Sequence, residues 1–137
     1  MHDPLAHLPG YSLRRAASTM MAELASRLAP LDLRIGDASV LILIDHQPGI
    51  TASALGRTLD IQRANMVPLL ARLELAGLIL RVPLDRKSLS LQLTAAGRER
   101  FEQARAVTRQ FEADLMAKVP AEHRAHLVPA LNALWRS

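Results

Sequence analysis

The chain has 137 residues, half of them apolar, and a net charge of +4, so one domain with a genuine core is expected. It contains no cysteine, which excludes disulfides, thiolate nucleophiles, Cys-based zinc sites and thiol redox chemistry together. The longest clean apolar run, residues 40–44, falls far short of the ~20 residues of a membrane span, and the start "MHDPLAHLPGY" lacks a signal-peptide pattern, so a soluble cytoplasmic protein without membrane contact is expected.

Leu and Ala dominate, and Phe, Trp and Tyr together number four, a composition that favours helices. In residues 11–28 the positions Leu13, Ala17, Met20, Leu24 and Leu28 recur at steps of three or four, one face of a long helix. Pro30 ends it. Asp37 is the expected N-cap of a second helix over 38–46, which Pro48-Gly49 stops. Residues 40–44 fit a buried strand equally well by periodicity. The helical reading is preferred because helices flank the segment and no later stretch alternates well enough to pair with it. Followed by Asp45-His46, "VLILI" is also reminiscent of isochorismatase-type hydrolases, but those need a nucleophilic cysteine.

Thr51 is the expected N-cap of a short helix over 52–58. Asp60 stands where a tight helix-to-helix turn needs a residue tolerant of the left-handed region. A further helix is expected over 62–76, with Val67, Leu70 and Leu73 facing inward, Gln62, Asn65, Leu69 and Arg72 on the other face, and Gly77 as its C-terminal stop. Pro68 lies inside it and predicts a local bend rather than a break.

Residues 78–94 change period. Leu89, Leu91 and Leu93 alternate with Ser90, Gln92 and Thr94, which with 78–82 predicts a hairpin tipped by residues 83–88. Thr94 then caps a helix running to about Lys118, roughly 35 Å long, lined by Phe101, Ala104, Phe111 and Leu115. Arg98 and Glu102 are expected to pair on its solvated face. A last helix is expected over about 120–135. Glu122, His123 and His126 could bind a metal, but two surface histidines are the expected reading, and no cofactor is expected. His2 and His7 fall in an arm expected to be disordered or swapped.

Short helix, tight turn, second helix and charged hairpin make a winged helix-turn-helix. Between Thr51 and Thr94 six basic residues (57, 63, 72, 81, 86, 87) face three acidic ones (60, 74, 85), so about a third of the chain holds most of the positive excess. A helix fits the major groove of B-DNA, and a basic hairpin tip can reach the adjacent minor groove.

"GITASALGRTLDIQRANMVPLLARLELAGLILR" followed by "LDRKSLSLQLTAAGRE" resembles the multiple-antibiotic-resistance regulator (MarR) family, over nearly the whole chain. The resemblance implies a mainly α fold with a small β-hairpin wing, built as a six-helix homodimer. The implied activity is a DNA-binding transcription regulator, a repressor released by a small aromatic acid, and not an enzyme. It places Gln62, Arg63 and Asn65 at the groove end of the recognition helix and matches Asp85 to the wing aspartate. Lys87 occupies the place of the minor-groove arginine, with Ser88 after it, and Arg86 can take over the contact. Phosphate contacts are expected from Thr51, Ser53, Arg57 and Arg63, base reading from Gln62, Asn65 and Arg72, and wing contacts from Arg86 and Lys87. Tyr11, Arg15, Ser18 and His46 are the polar groups expected near an effector pocket. Residues 10–29 and 95–136 are expected to dimerise, and 36–94 to bind double-stranded DNA. Two alternatives stay open: a constitutive DNA-binding protein without effector, and a winged-helix protein–protein adaptor without DNA binding.

Overall fold

The computed structural model describes residues 2–136. In chain order they form α1 (Pro9–Leu28), a 3-10 turn (Ala29–Leu31), α2 (Ile35–His46), α3 (Ala52–Leu59), α4 (Arg63–Leu75), β1 (Ile79–Pro83), β2 (Leu89–Leu93), α5 (Ala95–Ala117), a 3-10 turn (Ala121–His123) and α6 (Arg124–Asn132). None of the described helices is long and apolar enough to cross a membrane.

The ambiguous run 40–44 is the middle of α2, and α2 is the centre of the molecule. Val40, Leu41 and Ile44 are almost wholly buried, in one cluster with Leu28, Leu55, Leu70, Leu91 and Phe101. Each such side chain contributes about 1.5–3 kcal/mol of transfer free energy. A helix at the centre is buried on several sides, which is why its sequence shows no amphipathic rhythm. Asp37 is not the N-cap. The cap is Arg34, three residues earlier, and the Asp37 Oδ2 accepts a bond from the Arg34 amide at 2.8 Å. Asp37 thus closes the first turn from inside, where a carboxylate also suits the positive end of the helix dipole.

The helix-turn-helix expectation holds with one shift of frame. In α4 the buried positions are Met66, Leu69, Leu70 and Leu73, whereas Val67 is 56% exposed. The inward face is therefore rotated from the expected one: Leu69 belongs to the core and Val67 to the surface. The helix runs unbroken through Pro68. It ends as expected at Gly77, with φ +77°. The Gly77 amide bonds Glu74 and the Leu78 amide bonds Leu73, a Schellman closure that buries Leu78 beside Leu73.

β1 and β2 pair antiparallel, Ile79 opposite Leu93 and Pro83 opposite Leu89. Thr94 locks the base of this hairpin. Its hydroxyl donates to the Gly77 carbonyl at 2.6 Å and accepts from the Gly97 amide at 2.9 Å, and its amide bonds Leu78. Here α5 starts hard against the beginning of β1.

α5 packs on α1 and α2. Arg98 does not pair with Glu102. It reaches Asp45 on α2 at 2.8 Å, and Glu102 pairs with Arg105. The final helix is shorter than expected, since residues 121–123 form a 3-10 turn and α6 stops at Asn132, leaving Leu134 and Trp135 beyond it and about 70% exposed. The N-terminal arm forms a turn ahead of α1. Residues 4–7 turn back on α1, the Ala6 amide bonding Asp3 and the Ser12 hydroxyl bonding Ala6.

Candidate nucleic-acid interface

α3 and α4 meet at Asp60-Ile61-Gln62. Asp60 takes φ +54°, the left-handed conformation foreseen for it. The turn closes when the Ile61 amide bonds the Gly56 carbonyl at 2.9 Å. A Cβ at Gly56 would stand 3.0 Å from the Ile61 oxygen, a tight contact that the turn would have to relax by a few tenths of an ångström to admit. Thr51 caps α3, its Oγ1 accepting from the Ala54 amide at 3.1 Å. Gln62 precedes α4 and makes no side-chain cap bond, so its amide group stays available.

The wing is tied to this unit through its second strand. Gly49 and Ile50 exchange backbone bonds with Leu91, and Thr51 bridges Ser90. The segment leading into the cap of α3 thus lies antiparallel beside β2 as an isolated bridge. At the wing tip the Asp85 carboxylate accepts from the amides of Lys87 and Ser88, each at 2.8 Å, and the Leu84 amide bonds Ser88. These amide bonds hold the Asp85 carboxyl below the ordinary carboxylate range. Asp85 therefore shapes the tip. An anion is the wrong partner for phosphate, so its expected place among the DNA contacts becomes an indirect one: it presents Arg86 and Lys87.

This gives a test. Asp85→Ala is expected to leave the thermal midpoint nearly unchanged while broadening the amide resonances of Lys87 and Ser88. Because the folded-state pKa is lowered, tip order in the wild type should persist at moderate acidity and be lost only as pH falls through that lowered value. Unchanged line widths in the variant would show that the carboxylate does not organise the loop.

Between α3, α4 and the wing lies a cleft of about 760 Å³. Of the residues expected to meet DNA, Thr51, Ser53, Arg57, Gln62, Arg63, Lys87 and Ser88 line it. Asn65 is exposed on α4 and Arg86 at the tip, both outside that lining. Arg72 is elsewhere. Its guanidinium bonds the Asp37 Oδ1 at 2.5 Å, and Asp37 is 4% exposed. The base-reading role expected of Arg72 does not fit this position, near the C-terminal end of α4 and turned to α2.

The ion pairs sort the local charge. Arg72 is neutralised by Asp37, and Arg81 by Glu74 at 2.9 Å. Among the described residues, no ion pair engages Arg57, Arg63, Arg86 or Lys87. Four unpaired cations remain on the cleft and the wing tip, where a polyanion gains most from them. Sequence reasoning missed Val67, which is exposed and lines the cleft. The signal was its spacing from Arg63, one helical turn on the same face.

The residues expected at an effector pocket are only partly gathered. The Tyr11 hydroxyl donates to Asp3 and accepts from Arg15 at 2.9 Å, and Arg14 and Arg15 lie over the ring. The Tyr11 bond, with the Leu5 amide, lowers the Asp3 pKa. Arg15 also borders a groove of about 360 Å³ between α1 and α5, with Met20, Phe111 and Leu115. Ser18 and His46 are exposed and do not line that groove. Glu122 and His123 sit in the 3-10 turn and His126 in α6, with 3.9 Å between the first two. No group of three potential metal ligands occurs among the described residues.

The MarR family model matches residues 33–89, from the start of α2 through the wing tip. The solved structure of CouR, a transcriptional repressor bound to a 23-mer DNA duplex, superposes with a TM-score of 0.87 at 32% identity, over 96% of this chain and 95% of that one. The chain belongs to the MarR family. CouR bound to p-coumaroyl-CoA gives the same TM-score at 30% identity, over 100% and 98% of the two chains. The transcriptional repressor Rv2887 of Mycobacterium tuberculosis is 29% identical over 91% of both chains. Its structure with salicylic acid has a TM-score of 0.72, over 92% of this chain and 95% of that one. The family's winged helix-turn-helix, six helices and a two-stranded hairpin, is the fold observed here.

Proposed function

We propose that this MarR-family chain is a sequence-specific transcriptional repressor that binds duplex DNA as a homodimer and is released by a small aromatic or phenolic acid or its thioester. The observation that carries the reading is the charge sorting at the cleft. Among the described residues, Arg57, Arg63 and Lys87 on the cleft and Arg86 at the wing tip have no acidic partner, while the two other basic residues of the same segment are neutralised. CouR and Rv2887 have both been seen with DNA and with a small ligand, p-coumaroyl-CoA in one and salicylic acid in the other.

Residues 36–94 form the DNA-binding lobe in this reading. α4 enters the major groove with Gln62 and Asn65 toward base edges. Val67, exposed on the same helix, suits the methyl group of thymine. Thr51, Ser53, Arg57 and Arg63 meet phosphates, the wing's Arg86 and Lys87 enter the minor groove, and Ser88 supports the tip. Lys87 lacks the planar fork of arginine and sheds water less readily, which favours Arg86 as the deeper contact.

The second subunit covers what one chain leaves bare. Leu5, Leu8 and Leu13 at the N-terminal end, and Val128, Leu131, Leu134 and Trp135 at the C-terminal end, are all exposed. Not one residue of α6 is buried. A helix with no fully buried side chain gains little from folding alone. A two-fold interface through α1, α5 and α6 supplies that cover and implies a pseudo-palindromic operator with half-sites about one helical turn apart.

Gel shifts on the DNA flanking the chain's own gene, titrated with salt, test this. Lys87→Ala should weaken binding on every sequence and reduce the salt slope by about one counterion. Asn65→Ala should cost roughly 1–3 kcal/mol and relax discrimination at one or two base positions. If both variants bind as the wild type does, the cleft is not the DNA surface.

A further inference from the structure

A second cavity, of about 540 Å³, shares no residue with the DNA cleft. Its floor is Leu33, Leu73 and Leu78, all buried. Three guanidiniums border it, from three parts of the fold: Arg34 before α2, Arg72 on α4 and Arg100 on α5. They are sparsely used. Arg72 gives one bond to Asp37 and Arg100 one to the Leu31 carbonyl. Among the described residues, the Arg34 side chain donates to no acceptor. A guanidinium carries five donors, so most of these N–H groups remain open. The acids at the cavity are Asp37, whose two oxygens are already engaged, and Asp32 at the rim.

From this arrangement we infer that the cavity is a binding site for a small phosphate-bearing molecule, its phosphate held by Arg34, Arg72 and Arg100. Three planar forks offer more donors than a single carboxylate can accept, and a phosphate presents more oxygens and more charge to match them. The apolar floor accommodates a modest organic body.

The consequence for regulation rests on the DNA-binding reading; the binding itself does not. Occupancy would tie the last turn of the recognition helix, through Arg72, to the long helix α5, through Arg100. DNA affinity then changes to the extent that the operator-bound pose differs from the anion-bound one.

Calorimetric titration with inorganic phosphate and with pyrophosphate, at constant ionic strength set by chloride, tests the site. Saturable binding is expected, tighter for pyrophosphate. Arg34 is exposed, so Arg34→Gln should keep the fold, checked by circular dichroism, and weaken binding about tenfold, the scale of one charge-assisted hydrogen bond. Asp32→Asn should tighten it by removing the rim acid; Asp32 holds φ +55°, a conformation asparagine accepts. Because the DNA cleft is also basic, Arg57→Gln is titrated in parallel. Loss in Arg57→Gln with none in Arg34→Gln would overturn the inference, as would non-saturable binding, or benzoate binding tighter than pyrophosphate. Operator gel shifts on the same samples separate the two readings. A wild type that binds pyrophosphate through Arg34 but no operator would retire the DNA reading and leave this site standing.

Discussion

Gly97→Ala is expected to destabilise the fold by about 3 kcal/mol, the upper range of overpacking costs, read as a lowered denaturant midpoint at unchanged slope. A Cβ at Gly97 would collide with the Leu78 carbonyl oxygen and lie 2.9 Å from its carbonyl carbon. The obstacle is backbone, so no rotamer change relieves it. The same oxygen accepts the Thr94 amide, and the Gly97 amide donates to the Thr94 hydroxyl. Moving α5 outward would therefore break the bonds that fasten the hairpin base. Thr94→Ala, which removes the cap but adds no bulk, should cost only about 1 kcal/mol. Equal losses in the two variants would mean that the cap, rather than close approach, makes glycine necessary.

Arg72→Met is the second large effect. It keeps the apolar stem and removes the charge beside Asp37. Breaking a buried pair costs about 3–5 kcal/mol; because the Arg72 side chain is 40% exposed, about 2–3 kcal/mol is expected here. The Asp37→Asn/Arg72→Met double variant should recover part of it, since the stranded charge is gone and asparagine can still accept from the Arg34 amide. Strict additivity of the two single losses would show that the pair is not coupled. Operator affinity of the folded fraction should change little, which separates this structural arginine from one that reads bases.

The contrast shows where sequence reasoning reaches. Asp60, Thr51, Thr94 and Gly77 were legible because each sits at a junction whose backbone geometry restricts residue choice. The cleft residues Arg57, Gln62, Arg63 and Lys87 were legible because the order of elements fixes which ends converge. Arg72 was not, since its partner Asp37 lies 35 positions away and no local pattern links them. The frame of α4 slipped because Val67, Leu69 and Leu70 are all apolar, and a helix carrying apolar residues on two faces leaves the choice to its neighbours. The expected helix reaches Leu134 and Trp135, but α6 stops at Asn132 with none of its residues buried, so little holds a further turn in place. Ser18 and His46 had no geometric constraint behind them, and the structure brings neither to the groove beside Arg15.

The bridge from Thr51 to Ser90 sets the stem of the wing apart from its loop. It welds the stem of the hairpin to the foot of α3, while the loop beyond closes on itself through Asp85 and Ser88. Stem and loop are thereby mechanically separate. Substitutions at positions 86 and 87, both exposed, are therefore expected to change the charge the loop presents without displacing the helix pair behind it.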